Sequence, residues 1–182
     1  MASPCKISHI VLQTNRPRAL REWYCTVLGA EIVHENAFIS FISYDDEHHR
    51  VAFINPGALE ARQPGAREAG DFRAGRETGL HHIAFTFASL EALLDTYARL
   101  KEQGIRPYWC VNHGPTTSMY YRDPDNNQVE LLIDNFDDVR DGKAYMRSPA
   151  FAQNPIGVEY DPDEMLARFR AGASREELLR IG

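Results

Sequence analysis

The sequence contains an internal repeat, and this repeat constrains the architecture of the chain more than any other feature. Residues 7–14 (ISHIVLQT) and 80–87 (LHHIAFTF) are similar segments rich in β-forming residues. His9 and His82 occupy matching positions in the two copies. A segment that recurs in this way indicates one structural unit that is built twice.

A segment with apolar residues at helical spacing follows each copy. The first begins near Pro17, a residue that suits the first turn of a helix, and stops at Gly29. The second follows Ser89, a good N-cap, and stops at Gly104. The same order of strand, helix and glycine stop therefore occurs twice.

Beyond each helix the apolar pattern changes to the period of two that is typical of strands. The first half has β-rich runs at 31–34, 38–43 and 50–55, and the second half has them at 107–111, 117–121 and 127–133. The turn-forming residues at 123–127 (DPDNN) predict a hairpin between the last two runs. Each half is thus predicted to be a βαβββ module, which makes the chain an α+β protein.

We expect one domain over 1–182. Its predicted parts are a first module at 5–57, a linker at 58–78, a second module at 79–135 and a helical C-terminal extension at 136–182. Capping patterns predict short helices in this extension near 162–171 and 175–181. We expect the extension to cover a sheet edge or to form a subunit contact rather than to carry chemistry.

Composition and charge exclude several classes of function. With 43% apolar residues the chain can bury a core, and its net charge of −6 without a basic block argues against nucleic-acid binding. No apolar run approaches the ~20 residues of a membrane span, and no signal-peptide pattern is present, so we expect a cytoplasmic protein without a membrane partner. Its three cysteines, Cys5, Cys25 and Cys110, predict neither a disulfide framework nor a thiolate zinc site.

Three residues could together bind a metal ion. Glu130 is a charged residue inside the apolar run 128–133, and a buried carboxylate requires a cation. With His9 and His82 it would form a set of two histidines and one carboxylate, which is typical of non-haem Fe(II) sites for oxygen chemistry. Mn(II), Co(II) or Zn(II) would also fit. His81 is the alternative to His82, but strand alternation places it on the opposite face.

Residues 7–135 resemble the vicinal oxygen chelate superfamily, and within it the type I extradiol ring-cleavage dioxygenases of the 2,3-dihydroxybiphenyl 1,2-dioxygenase group. This resemblance implies paired βαβββ modules that form a half-open barrel around one divalent metal. In that group each of the two modules supplies one histidine to the iron, and the last strand supplies a glutamate. These ligands correspond here to His9, His82 and Glu130.

The resemblance also implies residues that act beside the metal. The acid/base histidine of the group lies in a motif that is similar to residues 48–53 (HHRVAF), so it corresponds to His49. A second histidine and a tyrosine, which donate hydrogen bonds to substrate oxygens, correspond to His113 and Tyr120, with Tyr121 as the alternative tyrosine. This chain has one pair of modules where longer members have two pairs, and its linker is longer than expected.

The resemblance implies that the chain is an Fe(II)-dependent enzyme, with Mn(II) as another possible metal, that cleaves the ring of a catechol-type aromatic diol with O2. We also expect a homo-oligomer because of exposed sheet edges. Another metal enzyme of the superfamily, such as a thiol transferase, lyase or epimerase, is the main alternative. Against the lyase, residues 51–54 (VAFI) offer no fourth ligand. A small-molecule binding protein without catalytic activity is the remaining alternative.

Overall fold

The structure is a computed structural model, and it describes residues 3–57, 59 and 79–180. Its internal contacts divide the chain into two compact units. The first unit is Met1–Pro64 with Asp123–Asn127, and the second is Gly65–Arg122 with Gln128–Gly182. The predicted linker at 58–78 lies outside the described residues except for residue 59. The exact module boundaries and the half-open barrel remain predictions from the sequence.

In its described residues, the first unit contains one helix and a four-stranded sheet. Its elements are β1 (Ile10–Gln13), α1 (Pro17–Leu28), β2 (Glu31–Glu35), β3 (Ile39–Ser43) and β4 (Val51–Ile54). The strand order is β1-β4-β3-β2, and β1 runs parallel to β4. The apolar stripe of α1 is buried against β3 and β4, and Gly29 ends the helix in the left-handed conformation with φ of 66°.

The second unit repeats this arrangement. Its elements are β5 (Ile83–Thr86), α2 (Leu90–Glu102), β6 (Trp109–Asn112), β7 (Thr116–Arg122) and β8 (Gln128–Asp134). Strand β5 is parallel to β8, and β7 forms the predicted antiparallel hairpin with β8. The repeated βαβββ order and the α+β class are therefore confirmed.

Over residues 136–180, the part of the C-terminal extension that the structure describes, there are four helices and one short strand: α3 (Val139–Tyr145), α4 (Pro149–Gln153), β9 (Val158–Glu159), α5 (Pro162–Arg170) and α6 (Arg175–Leu178). Helix α5 matches its prediction closely, and α6 is shorter than predicted. The sequence did not predict α3, α4 or β9. Strand β9 pairs with β6 and extends the sheet to the order β5-β8-β7-β6-β9. The extension thus covers a sheet edge, as expected.

The repeated strands begin later than the sequence pattern indicated. Strand β1 starts at Ile10 and β5 at Ile83, so His9 and His82 each lie one residue before a strand. Both histidines thus keep matching positions in the repeat. Within the described residues, no helix is long and apolar enough to cross a membrane. The cytoplasmic location remains a prediction.

Candidate functional site

Glu130 is a buried carboxylate in the middle of β8. It lies opposite Ala84 of β5 and Tyr120 of β7, and only 4% of it is exposed. The imidazole Nε2 of His82 is 2.9 Å from Glu130 Oε2. Because His82 directly precedes β5, the strand next to β8, the parallel pairing of these strands brings the two side chains together.

Hydrogen bonds determine the charge state of Glu130. Burial alone raises the pKa of this carboxyl, but hydrogen bonds from His82, Ser118 and Tyr120 together lower the pKa below its ordinary value. Glu130 therefore carries a negative charge in a place where an unpaired charge would be costly. A buried carboxylate beside an imidazole is a pair of donors that a divalent metal accepts.

Tyr120 lies beside this pair and is buried. Its ring is stacked on Trp109 at a centroid distance of 4.8 Å and meets the ring of His82 edge-on at 5.6 Å. Burial, and then the negative charge of Glu130, raise the pKa of Tyr120 well above its ordinary value. Tyr120 therefore keeps its proton at neutral pH and can donate a hydrogen bond.

His113 completes the cluster in the second unit. It follows β6, and its Nε2 is 2.9 Å from the Tyr120 hydroxyl. Its Nδ1 is 2.5 Å from the carbonyl oxygen of Ile156 in the C-terminal extension. The structure thus brings together four of the predicted site residues: His82, His113, Tyr120 and Glu130.

The first unit brings together the other two predicted site residues, His9 and His49. Their ring centroids are 4.4 Å apart. His49 precedes β4, and the next residue, Arg50, donates hydrogen bonds of 2.9 and 3.1 Å to the carbonyls of Ile7 and Ser8. Because β1 and β4 are neighbouring strands, the segments that precede them lie side by side. The bonds from Arg50 hold these two segments together, and with them His9 and His49.

Burial, and then the nearby His9 and His48, lower the pKa of His49. The imidazole of His49 is therefore neutral at pH 7 and has a lone pair that can accept a proton. Phe41 lies against the same ring, with centroids 4.8 Å apart. Such a neutral, partly shielded histidine is suited to general-base chemistry.

The geometry distinguishes the alternatives that the sequence left open. Tyr121 lies on the opposite face of β7 from Glu130, and its hydroxyl is 3.8 Å from the sulfur of Met119. His82, rather than His81, contacts Glu130. Tyr120 and His82 are therefore the better-placed residues.

Among residues 3–57, 59 and 79–180, no three His, Cys, Asp or Glu side chains form a group that could hold a metal ion. The donors lie in two sets, with His82 and Glu130 in the second unit and His9 in the first. The complete ligand set therefore remains a proposal.

Sequence reasoning did not identify Ser118, Ile156 and Glu159 as parts of the site. Ser118 was detectable, because it lies two residues before Tyr120 and alternation places both on the same face of β7. Ile156 contributes only its backbone carbonyl, so its side chain carried no signal. Glu159 accepts a hydrogen bond of 2.8 Å from the indole nitrogen of Trp109, which is 50 residues away in the sequence.

Comparison with known proteins agrees with the resemblance found in the sequence. Residues 6–131 match the model of the glyoxalase/bleomycin resistance protein/dioxygenase superfamily. Biphenyl-2,3-diol 1,2-dioxygenase 2 of Rhodococcus globerulus is 49% identical over 163 residues, which cover 89% of this chain and 80% of that protein. Biphenyl-2,3-diol 1,2-dioxygenase 3 of the same organism is 42% identical, over 95% of this chain and 86% of that protein.

Solved structures show the same fold at low sequence identity. A glyoxalase/bleomycin resistance protein/dioxygenase domain from Frankia sp. EAN1pec is 18% identical, with a TM-score of 0.55, and covers 72% of this chain and 99% of its own. Lactoylglutathione lyase from Agrobacterium tumefaciens is also 18% identical, with a TM-score of 0.54, and covers 72% of this chain and 96% of its own. The chain belongs to the glyoxalase/bleomycin resistance protein/dioxygenase superfamily.

Proposed function

We propose that this protein is an Fe(II)-dependent extradiol dioxygenase that opens the ring of a catechol-type aromatic diol with O2. The observation that carries this proposal is the buried Glu130 carboxylate, which contacts His82 beside the hydroxyl of Tyr120 and the ring of His113. Two relatives that are 49% and 42% identical over most of the chain are named as biphenyl-2,3-diol 1,2-dioxygenases. Biphenyl-2,3-diol is therefore the first substrate to test.

His9, His82 and Glu130 would hold the metal, with Mn(II) as another ion that fits these ligands. When bound there, Fe(II) supplies a Lewis acid that lowers the pKa of the diol and a redox centre that couples the diol to oxygen. His9 enters this set because of its matching position in the repeat. His82 and Glu130 enter it because they are already within 2.9 Å of each other.

The other residues would move protons and orient the reactants. His49 would accept a proton from a diol hydroxyl, because its lowered pKa leaves the imidazole neutral before the reaction. It would return this proton at a later step. Tyr120 would donate a hydrogen bond to a substrate oxygen, because its raised pKa keeps the hydroxyl protonated. His113 would hold the Tyr120 hydroxyl in place.

The test is an oxygen-uptake assay with a coloured product. The protein is loaded with Fe(II) without air and mixed with 2,3-dihydroxybiphenyl, and air is then admitted while O2 and visible absorbance are recorded. We expect one O2 consumed per diol and a yellow ring-opened product. Glu130→Gln and His9→Ala should abolish both signals, and the matched control His34→Ala, at an exposed histidine of β2, should keep them.

No uptake with 2,3-dihydroxybiphenyl or with catechol, despite one bound metal ion per chain, would contradict the proposal. That result would favour a thiol transferase or an epimerase that uses the same ligands. Ligand binding that persists in His9→Ala and Glu130→Gln, without any turnover, would instead indicate a binding protein.

We also propose that the protein forms a homo-oligomer. Strand β2 is an edge of its sheet, and all five of its residues are exposed, including Ile32 and Val33 at 47% and 51%. Exposed apolar edge strands are commonly covered by a partner. Light scattering should give a molar mass that is a multiple of 20.7 kDa, and a monomer across the concentration range would exclude the oligomer.

A further inference from the structure

The geometry points to a role in the site for the segment Ile156–Glu159 of the C-terminal extension: it is a positioning element that fixes the tautomer and orientation of His113. The inference gives this segment a part in the proposed dioxygenase reaction, and in that respect it rests on the proposed function. The contacts between this segment and His113 all lie within the second unit. From the sequence alone, the extension is expected to cover a sheet edge or to form a subunit contact rather than to carry chemistry.

The contact with Ile156 determines which nitrogen of His113 carries the proton. A carbonyl oxygen can only accept a hydrogen bond, so the Nδ1 that lies 2.5 Å from the Ile156 carbonyl must carry a hydrogen. In the neutral ring, Nε2 then has a free lone pair. This lone pair faces the Tyr120 hydroxyl at 2.9 Å, where it competes with Glu130 for the single hydroxyl hydrogen. Ile156 therefore determines which ring nitrogen of His113 faces the Tyr120 hydroxyl, and in which protonation form.

Two sets of hydrogen bonds hold Ile156 in this place. Strand β9 pairs with β6, where Glu159 lies opposite Val111 and Val158 opposite Asn112. Before β9, the side-chain NH2 group of Asn154 donates to the backbone carbonyl of Gly157 at 2.8 Å. The backbone N–H of Gly157 donates to Asn154 Oδ1 at 3.0 Å. The carbonyl of Ile156 thus lies in a closed turn that is anchored on the strand leading to His113.

Gly157 allows the turn to approach the backbone before His113. Its φ is +96°, and a Cβ on this residue would lie 2.0 Å from the carbonyl oxygen of Asn112 and 2.7 Å from the Cα of His113. Both atoms belong to the backbone, so no side-chain movement relieves the overlap. Any larger residue at this position must push the turn away from His113.

Glu159 provides a second anchor from the same segment. It accepts the indole hydrogen bond of Trp109 at 2.8 Å, and Trp109 is stacked on the ring of Tyr120 with an interplanar angle of 28°. The same indole meets His113 edge-on at 5.7 Å. The segment therefore supports His113 through Ile156 and Tyr120 through Trp109.

The test compares two glycine variants of the extension. Gly157→Ala introduces the overlap described above. Gly172→Ala is the matched control, because Gly172 also has a positive φ, +89°, but nothing lies within 4 Å of its added Cβ. Both variants carry similar backbone strain, and only the first displaces the turn beside His113.

The main readout is the imidazole ¹⁵N spectrum of the metal-free protein, with the His113 signals assigned by their loss in His113→Gln. We expect the Nδ1–H tautomer in the wild type and in Gly172→Ala. Gly157→Ala should shift His113 toward the Nε2–H tautomer, which free histidine favours in water. A wild-type protein with His113 in the Nε2–H form, or an unchanged Nδ1–H form in folded Gly157→Ala, would overturn the inference.

Asn154→Ala serves as a milder variant if Gly157→Ala does not fold. It removes the two hydrogen bonds of the turn without adding an overlap, and a smaller shift of the same tautomer signal is expected. An unchanged signal there would again overturn the inference.

A second readout is the kinetics of the Fe(II)-loaded enzyme. Because misplacement by about 1 Å can reduce a rate about 100-fold, kcat of Gly157→Ala should fall by about 10-fold to 100-fold with little change in KM. Gly172→Ala should keep the wild-type kcat. Equal kcat in the two folded variants would contradict the part of the inference that concerns catalysis.

The two readouts separate this inference from the proposed function. A tautomer shift in a protein that shows no oxygen uptake would leave the positioning role intact and would reject the dioxygenase reaction. Oxygen uptake by a wild type whose His113 is in the Nε2–H form would support the dioxygenase reaction and would reject the positioning role.

Discussion

Tyr120 and Tyr121 are neighbours in β7 with opposite environments. Tyr120 faces Glu130, His82 and His113, whereas the hydroxyl of Tyr121 donates to the sulfur of Met119 at 3.8 Å. Both rings are almost completely buried. Removing either hydroxyl should therefore have a similar effect on packing, and only one of the two should affect the site.

We expect Tyr120→Phe to lower kcat for diol cleavage by about 100-fold, because a hydrogen-bond donor aimed at developing charge contributes on that order. The matched control Tyr121→Phe should keep kcat within about twofold. Initial rates of O2 uptake give the kcat of each variant. Equal rates for the two variants would show that the Tyr120 hydroxyl takes no part in the reaction.

The three cysteines should differ in reactivity. Burial raises the pKa of the Cys110 thiol to about 12 and also raises the pKa of Cys25, whereas Cys5 is exposed. Because the thiolate is the reactive form, Cys5 should react first with a thiol reagent at about pH 8, and Cys110 should react only after unfolding. Peptide mapping of the labelled protein identifies the sites. Rapid labelling of Cys110 in the folded state would contradict the burial described here.

Candidate residues could be predicted where a side chain stands out in the sequence. His9 and His82 are candidates because of their matching positions in the repeat, and Glu130 because of its charge inside an apolar run. The backbone carbonyl of Ile156 could not be found in this way, because every residue has one and only the fold selects which carbonyl meets His113.

At the level of elements, Asp163 links helix α5 to helix α2. Its carboxylate accepts a hydrogen bond of 2.6 Å from Tyr97 and forms an ion pair with Lys101. The hydrogen bonds from Lys101 and then from Tyr97 hold the pKa of Asp163 below its ordinary value. A carboxyl with a lower pKa in the folded state stabilises the protein above its unfolded pKa and loses this effect as the pH falls through its folded pKa.

We therefore expect Asp163→Asn to lower the urea midpoint at pH 7, with the difference from the wild type narrowing as the pH falls below about 4. Glu164→Gln is the matched control, since Glu164 is an exposed carboxylate in the same helical turn. Circular dichroism during urea unfolding, recorded at several pH values, gives the urea midpoint of each variant. A difference that stays constant down to the lowest pH at which the protein folds would contradict the role of the charge.

The elements that could be predicted are those with a strong local signal. Helices α1 and α2 each have an apolar stripe and a stop, and the hairpin of β7 and β8 has a turn of Asp, Pro and Asn residues. Helices α3 and α4 are short and have no buried residues, so they left no apolar period. Strand β9 has two residues and exists because β6 offers an edge to pair with.

At the scale of the whole molecule, the repeat accounts for the main features of the proposal. The two modules have the same strand order, and each places a histidine one residue before its first strand. In the second module this histidine is already paired with a buried carboxylate. We propose that the histidine of the first module, His9, joins them as a ligand of a single metal ion.

The most direct test of this claim is the metal content of protein that has been loaded with Fe(II) without air and then freed of excess metal. The wild type and the control His34→Ala should retain about one iron per chain, whereas His9→Ala and His82→Ala should each lose at least about 10-fold in affinity, since even a residue that only supports a ligand contributes that much. Retention of one tightly bound iron by His9→Ala, or two ions in the wild type, would contradict a single site shared by the two repeats.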